Sequence, residues 1–137
     1  MNKRFNEYLV DQPHGIEAKQ LRLPGYAKQQ DVKSIKLLAA QNNYTMVHLF
    51  EKPYPLIVCQ TLKFFADQLP DFVRANKGTL INPNVVKKAI VFNPKLMNLE
   101  LMTGEYILVS RRRMATVLAQ LSLPPIMSGA KSTQTDY

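Results

Sequence analysis

Apolar and polar residues alternate along most of this chain in short runs, and turn-forming residues cut the runs before they lengthen. Leu21 and Leu23 flank Arg22, and Pro24-Gly25 turns the chain. Val32 to Ala40 reads as a strand that ends in a polar tip, Gln41-Asn42-Asn43, where asparagine tolerates the left-handed region. From Tyr44 to Phe50 both alternating faces are largely apolar, which predicts a central strand covered on both sides. Leu56 to Cys59 forms the next strand, and Phe72 to Ala75 follows as a short one with Asn76-Lys77-Gly78 at its tip. After the turn at Asn82-Pro83-Asn84, Lys88 to Asn93 reads as a strand, with Ile90 and Phe92 on one face. Leu99 and Leu101 then alternate with Asn98, Glu100 and Met102. Thr103-Gly104 turns the chain into Tyr106 to Val109 as the hairpin partner.

Two stretches switch to helical spacing. Leu62, Phe65, Ala66 and Leu69 make one apolar stripe, with Thr61 as N-cap and Pro70 as the stop. Met114, Val117, Leu118 and Leu121 make a second, which begins after Ser110 as N-cap and is halted by Pro124-Pro125. Roughly nine strands and two short helices predict a mostly β (α+β), antiparallel fold with the helices on one side. Residues 1–16 read as a partly ordered lead-in, 17–122 as one domain, and 123–137 as a flexible tail.

Charge adds a partner class to this picture. Between Arg74 and Arg113 stand eight basic residues and two acids, an excess of six out of the chain's net +8. With a pI near 9.7, polyanions are the natural partners. Apolar content of 46% fits a folded protein. No apolar run has the length of a signal peptide or membrane span, so no membrane contact and a cytoplasmic location are expected. The single cysteine, Cys59, precludes an intrachain disulfide and sits in an apolar run as an expected core residue.

Glycine-rich phosphate loops, paired cysteines and zinc-type histidine motifs are all missing, so no enzyme activity, metal or cofactor is expected. His48 and His14 lack ligand-spaced companions, and packing accounts for them. Arg111, Arg112 and Arg113 open the last helix, where the macrodipole disfavours cations. A solvated charged turn would explain them, and so would contact with phosphates and guanine edges. At about 100° per residue, Arg112 points away from the apolar stripe, Arg113 lies on a flank, and Arg111 leans toward the stripe. The tip Arg74-Ala75-Asn76-Lys77 adds groups suited to base edges and phosphates.

Four short motifs, in order, resemble the LytTR family of bacterial DNA-binding domains. They are Ile35 through Asn43-Tyr44-Thr45, Thr61-Leu62 through Leu69-Pro70, Phe72-Val73-Arg74 to Ile81-Asn82, and Leu101-Met102-Thr103-Gly104 with Val109-Ser110-Arg111-Arg112. The match runs from about Leu21 to Leu121. The resemblance implies an elongated fold of small antiparallel sheets whose loops enter successive major grooves of double-stranded DNA. It places Asn43, Tyr44, Arg74, Asn76, Lys77, Ser110, Arg111, Arg112 and Arg113 at the DNA. The second loop departs from the family's common "R-x-H-[RN]-S", reading Arg74-Ala75-Asn76-Lys77-Gly78 here, so an altered sequence preference is expected. The implied function is a transcriptional regulator of the response-regulator type in bacterial two-component signalling. Two copies would sit on repeated sites, and a separate signalling protein would supply the input. The alternative is an interaction module of the same fold that docks on an acidic protein. An RNA-binding accessory protein would need exposed stacking aromatics, for which only Tyr44 is a candidate.

Overall fold

The computed structural model describes residues 5–12, 14–17 and 19–126; of the tail expected over 123–137, residues 127–137 lie outside the described residues. The strands are β1 (Asn6–Leu9), β2 (Gln20–Leu21), β3 (Gln30–Asp31), β4 (Ile35–Gln41), β5 (Tyr44–Leu49), β6 (Leu56–Val58), β7 (Val73–Asn76), β8 (Thr79–Ile81), β9 (Val86–Asn93), β10 (Leu96–Leu101) and β11 (Tyr106–Val109). Helix α1 (Leu62–Ala66) lies between β6 and β7, and α2 (Met114–Gln120) follows β11. Three 3₁₀ turns, Val32–Ser34, Pro83–Val85 and Arg111–Arg113, lead into β4, β9 and α2. No helix of the described residues is long and apolar enough to cross a membrane.

All strand pairing is antiparallel. One sheet has the order β6-β5-β4-β8-β7, a second the order β1-β9-β10-β11, and β2 pairs with β3. Period-two alternation in the five-stranded sheet divides its side chains between two cores. Leu38, Val47 and Leu80 face a core shared with Phe65 and Leu62 of α1 and with Leu21, Leu23 and Val32. Leu37, Val73, Ala75 and Ile81 face a second core, filled by Met97, Leu99 and Leu101 of β10 and by Met114, Val117 and Leu118 of α2. The two helices therefore cover opposite faces of this sheet rather than sharing one side. Strand β4 is the central strand covered on both faces. The expectation of two covered faces for β5 fails, because Thr45, Val47 and Leu49 are buried while Tyr44 is exposed and Met46 and His48 are half-buried.

Other local expectations shift by a few residues. Asp31 caps the turn Val32–Ser34 by accepting from the Lys33 amide, so the strand expected from Val32 begins at Ile35. Thr61 does cap α1, its side chain accepting from the Phe64 N–H. The helix stops after Ala66, ahead of Pro70, because single-turn bonds from Gln68 and Leu69 replace helical ones. Cys59 is exposed, contrary to its expected core place. Val58 occupies the inward position of that strand, so alternation turns Cys59 outward.

Three polar devices hold the sheets in place. Asn82 is buried, donates from Nδ2 to the Ile35 carbonyl at 2.9 Å, and accepts from the Asn84 N–H. At the outer side of β6, the Tyr26 hydroxyl donates to the Ile57 carbonyl (3.1 Å) and accepts from the Ile57 N–H (3.2 Å). In the four-stranded sheet, Lys88 lies between Glu7 (3.0 Å) and Glu100 (3.5 Å). Its ammonium is pushed above its ordinary value, first by the hydrogen bond to Glu7.

Candidate nucleic-acid interface

Three segments of the chain meet along one side of the molecule. The first is the β4–β5 turn, where Asn42 takes a left-handed φ of 55° and Gln41 pairs directly with Tyr44. This tight reversal leaves Asn43 and Tyr44 exposed. The second is the β7–β8 turn, which is bound to the first by the Ala40 N–H donating to the Gly78 carbonyl at 2.9 Å. The third is the Ser110–Arg113 segment, fastened to the second by the Ser110 N–H donating to the Ala75 carbonyl at 2.9 Å. The last strand of each sheet, β7 and β11, thus run together here.

A groove of about 420 Å³ lies between the first two turns, lined by Asn42, Tyr44, Leu62, Lys63, Arg74 and Lys77 among others. Lys63, a helix residue that nothing in the sequence marks as a DNA contact, joins this lining. Its ammonium is 3.1 Å from Asp67, and both groups are exposed. Such a pair contributes little to stability and leaves the cation open to exchange partners. Among the described residues, none of Lys77, Arg111, Arg112 and Arg113 has a carboxylate within ion-pair distance. Lys77, Arg111 and Arg112 are exposed and Arg113 is half-buried.

The arginine segment differs from its expected geometry. Arg111–Arg113 form a 3₁₀ turn ahead of α2, so the rotation of about 100° per residue does not apply to them. Arg111 is exposed rather than inclined to the apolar stripe, and Arg113 is the most covered of the three. Ser110 does not act as a side-chain cap either. The Arg113 N–H is taken by the Ser110 carbonyl at 2.9 Å, and the Ser110 hydroxyl is buried with no hydrogen-bond partner among the described residues. Three cations therefore crowd a helix start that no side chain among the described residues neutralises.

Two expected DNA-contacting residues turn inward. Arg74 donates from Nε to the Asn76 carbonyl (3.1 Å) and from a terminal nitrogen to the Lys77 carbonyl (2.7 Å). Burial, then the neighbouring Arg113 charge, pulls its guanidinium below the ordinary value, while Asp67 acts in the opposite direction. Asn76 accepts from the Gly78 N–H at 2.9 Å and donates to the Leu108 carbonyl at 2.7 Å. The structure thus groups Asn43, Tyr44, Lys77, Arg111 and Arg112 as outward-facing residues, with Arg74, Asn76 and Ser110 beneath them. Among the described residues, no group of histidine, cysteine and carboxylate side chains is arranged to hold a metal ion.

Comparison with known proteins identifies the family and the fold. Residues 28–122 match the family model of the LytTr DNA-binding domain. Among solved structures, a LytTr DNA-binding domain assigned to a methyl-accepting/DNA response regulator of Bacillus cereus matches with a TM-score of 0.63 at 20% identity. That match covers 80% of this chain and 100% of the other. At such identity the likeness concerns the fold. No curated protein matches the chain.

Proposed function

Because the chain belongs to the LytTR family of DNA-binding domains, we propose that it is a transcriptional regulator that reads duplex DNA sequence-specifically. The observation that carries this is the convergence of two turns and an arginine segment on one side, presenting cations without carboxylate partners among the described residues. Phosphate contacts from Lys77, Arg111 and Arg113 supply most of the affinity and fix the orientation. Arg112, with Tyr44 and Asn43, contacts base edges in the major groove, where arginine pairs bidentately with guanine. The DNA-reading unit spans residues 17–122, two copies occupy repeated sites, and a separate signalling protein supplies the input.

The test is selection from a random duplex library with the wild-type chain and Arg112→Ala side by side. A recurring motif that relaxes at one base pair in the variant, at about 1–3 kcal/mol per lost contact, supports this function. No enrichment at salt that suppresses nonspecific binding refutes it. The second reading, a module that docks on an acidic protein, gains from one observation. Arg74 spends its polar groups inside the loop, and Asn76 spends its own on the loop and on the Leu108 carbonyl of β11. It becomes the leading explanation if selection yields no motif.

A further inference from the structure

The β7–β8 pairing slips by one residue between Arg74 and Asn76. A bulge of this kind leaves one residue out of the ladder and re-aims the groups around it. Ala75 is the residue skipped, and its carbonyl accepts from the Ser110 N–H at 2.9 Å instead of from a strand neighbour. The Asn76 side chain makes a second link across the same gap. Its Nδ2 donates to the Leu108 carbonyl at 2.7 Å, 32 residues along the chain. Its Oδ1 closes the turn by accepting from the Gly78 N–H. Arg74 holds the next two carbonyls, those of Asn76 and Lys77. The side chains of Arg74 and Asn76 are therefore bonded either within the turn or to the strand leading into Arg111 and Arg112, while the Gly78 carbonyl accepts from the Ala40 N–H of β4.

We propose that Asn76, supported by Arg74, is a positioning residue rather than a base reader, and that it sets the spacing between the Lys77 turn and the arginine segment on DNA. This rests on the DNA-reading function given above. Rotating the Asn76 amide outward to meet a base would break both of its bonds at once. Kept inward, it makes the two contacting elements one rigid unit, so their contacts are made or lost together.

A rigid joint has a signature that a simple contact lacks. In the wild-type chain, Lys77→Ala and Arg112→Ala are non-additive in their effects on affinity for the selected motif, by about fivefold or more. In an Asn76→Asp background the Gly78 acceptor is kept, the bond to Leu108 is lost, and the two effects become multiplicative. Asn76→Ser, which is too short to reach Leu108 but able to close the turn, serves as the second variant. Thermal unfolding and nonspecific duplex binding check that both variants are folded. In both variants the library motif relaxes at the base pairs engaged by each element.

Three results overturn the assignment, and they are distinguishable. If the wild type selects no motif, the DNA-reading function falls and the joint with it. If the wild type selects a motif but Asn76→Asp loses preference at a single base pair, Asn76 is a base reader. If Lys77 and Arg112 stay coupled in both variants, the joint lies elsewhere.

Discussion

Replacing Ser110 with alanine distinguishes the structure from the pattern that a sequence suggests. A serine ahead of a helix is expected to cap it, and its loss then costs about 1 kcal/mol. The structure predicts the opposite sign. The Ser110 hydroxyl is buried without a partner, and the amide it would have capped is bonded to the Ser110 carbonyl. A buried polar group without a hydrogen bond costs about 1–3 kcal/mol. Alanine removes that cost and leaves a void no larger than one oxygen, so Ser110→Ala should gain about 1 kcal/mol. For a domain of this size the gain raises Tm by about 3–5 °C. Urea unfolding should show a higher midpoint with an unchanged slope, as expected when stability alone has changed. A loss of about 0.5 kcal/mol or more would mean that the hydroxyl caps the helix after all. The same variant has a second readout. If duplex affinity falls while stability rises, the hydroxyl is held in reserve for DNA, an exchange common at functional sites.

Two further outcomes follow from the charges around His48 and Lys77. Burial, then the Lys36 charge, holds the His48 imidazole below its ordinary value, with Glu105 pulling the other way. The unfolded chain then binds the proton more readily, so this contribution is present above about pH 6.5 and is lost as pH falls through the folded value. His48→Gln should therefore flatten the fall in Tm between about pH 7.5 and pH 5.5, and an unchanged fall would exclude His48 as its source. Lys77→Gln should leave Tm unchanged and lower the slope of log affinity against log salt by about 0.9. A slope equal to that of the wild type would show that Lys77 touches no phosphate.

Much of the architecture is visible in local periodicity. Met97, Leu99 and Leu101 alternate as a half-buried strand should, the stripes of α1 and α2 enter the cores, and Asn42 takes the left-handed turn that its residue type allows. Periodicity fails where long-range pairing decides. Strands β1 and β3 are mostly exposed, and only the partners β9 and β2 make them strands. The face of β5 holding Tyr44 and Met46 looks apolar in sequence, yet no element covers it fully. At the interface the residue types were legible but their duties were not. The pattern Arg-Ala-Asn-Lys announces groups suited to DNA, and nothing in it shows that Asn76 reaches a carbonyl 32 positions away. The arginine run likewise cannot reveal that its first turn is 3₁₀, because that depends on which carbonyl wins the Arg113 amide.

The phenol of Tyr26 has a consequence for how copies of this protein meet. The border of a β-sheet is a template on which another chain can add a strand, and proteins that crowd together must blunt it. In β6 the outward N–H and C=O belong to Ile57, and one hydroxyl engages both. The exposed Ile57 side chain is left sticky, but the hydrogen-bonding pair that would start cross-chain pairing is already satisfied. Tyr26 thus acts as a stop on sheet growth at this edge, and neighbouring copies are not drawn into strand pairing through β6.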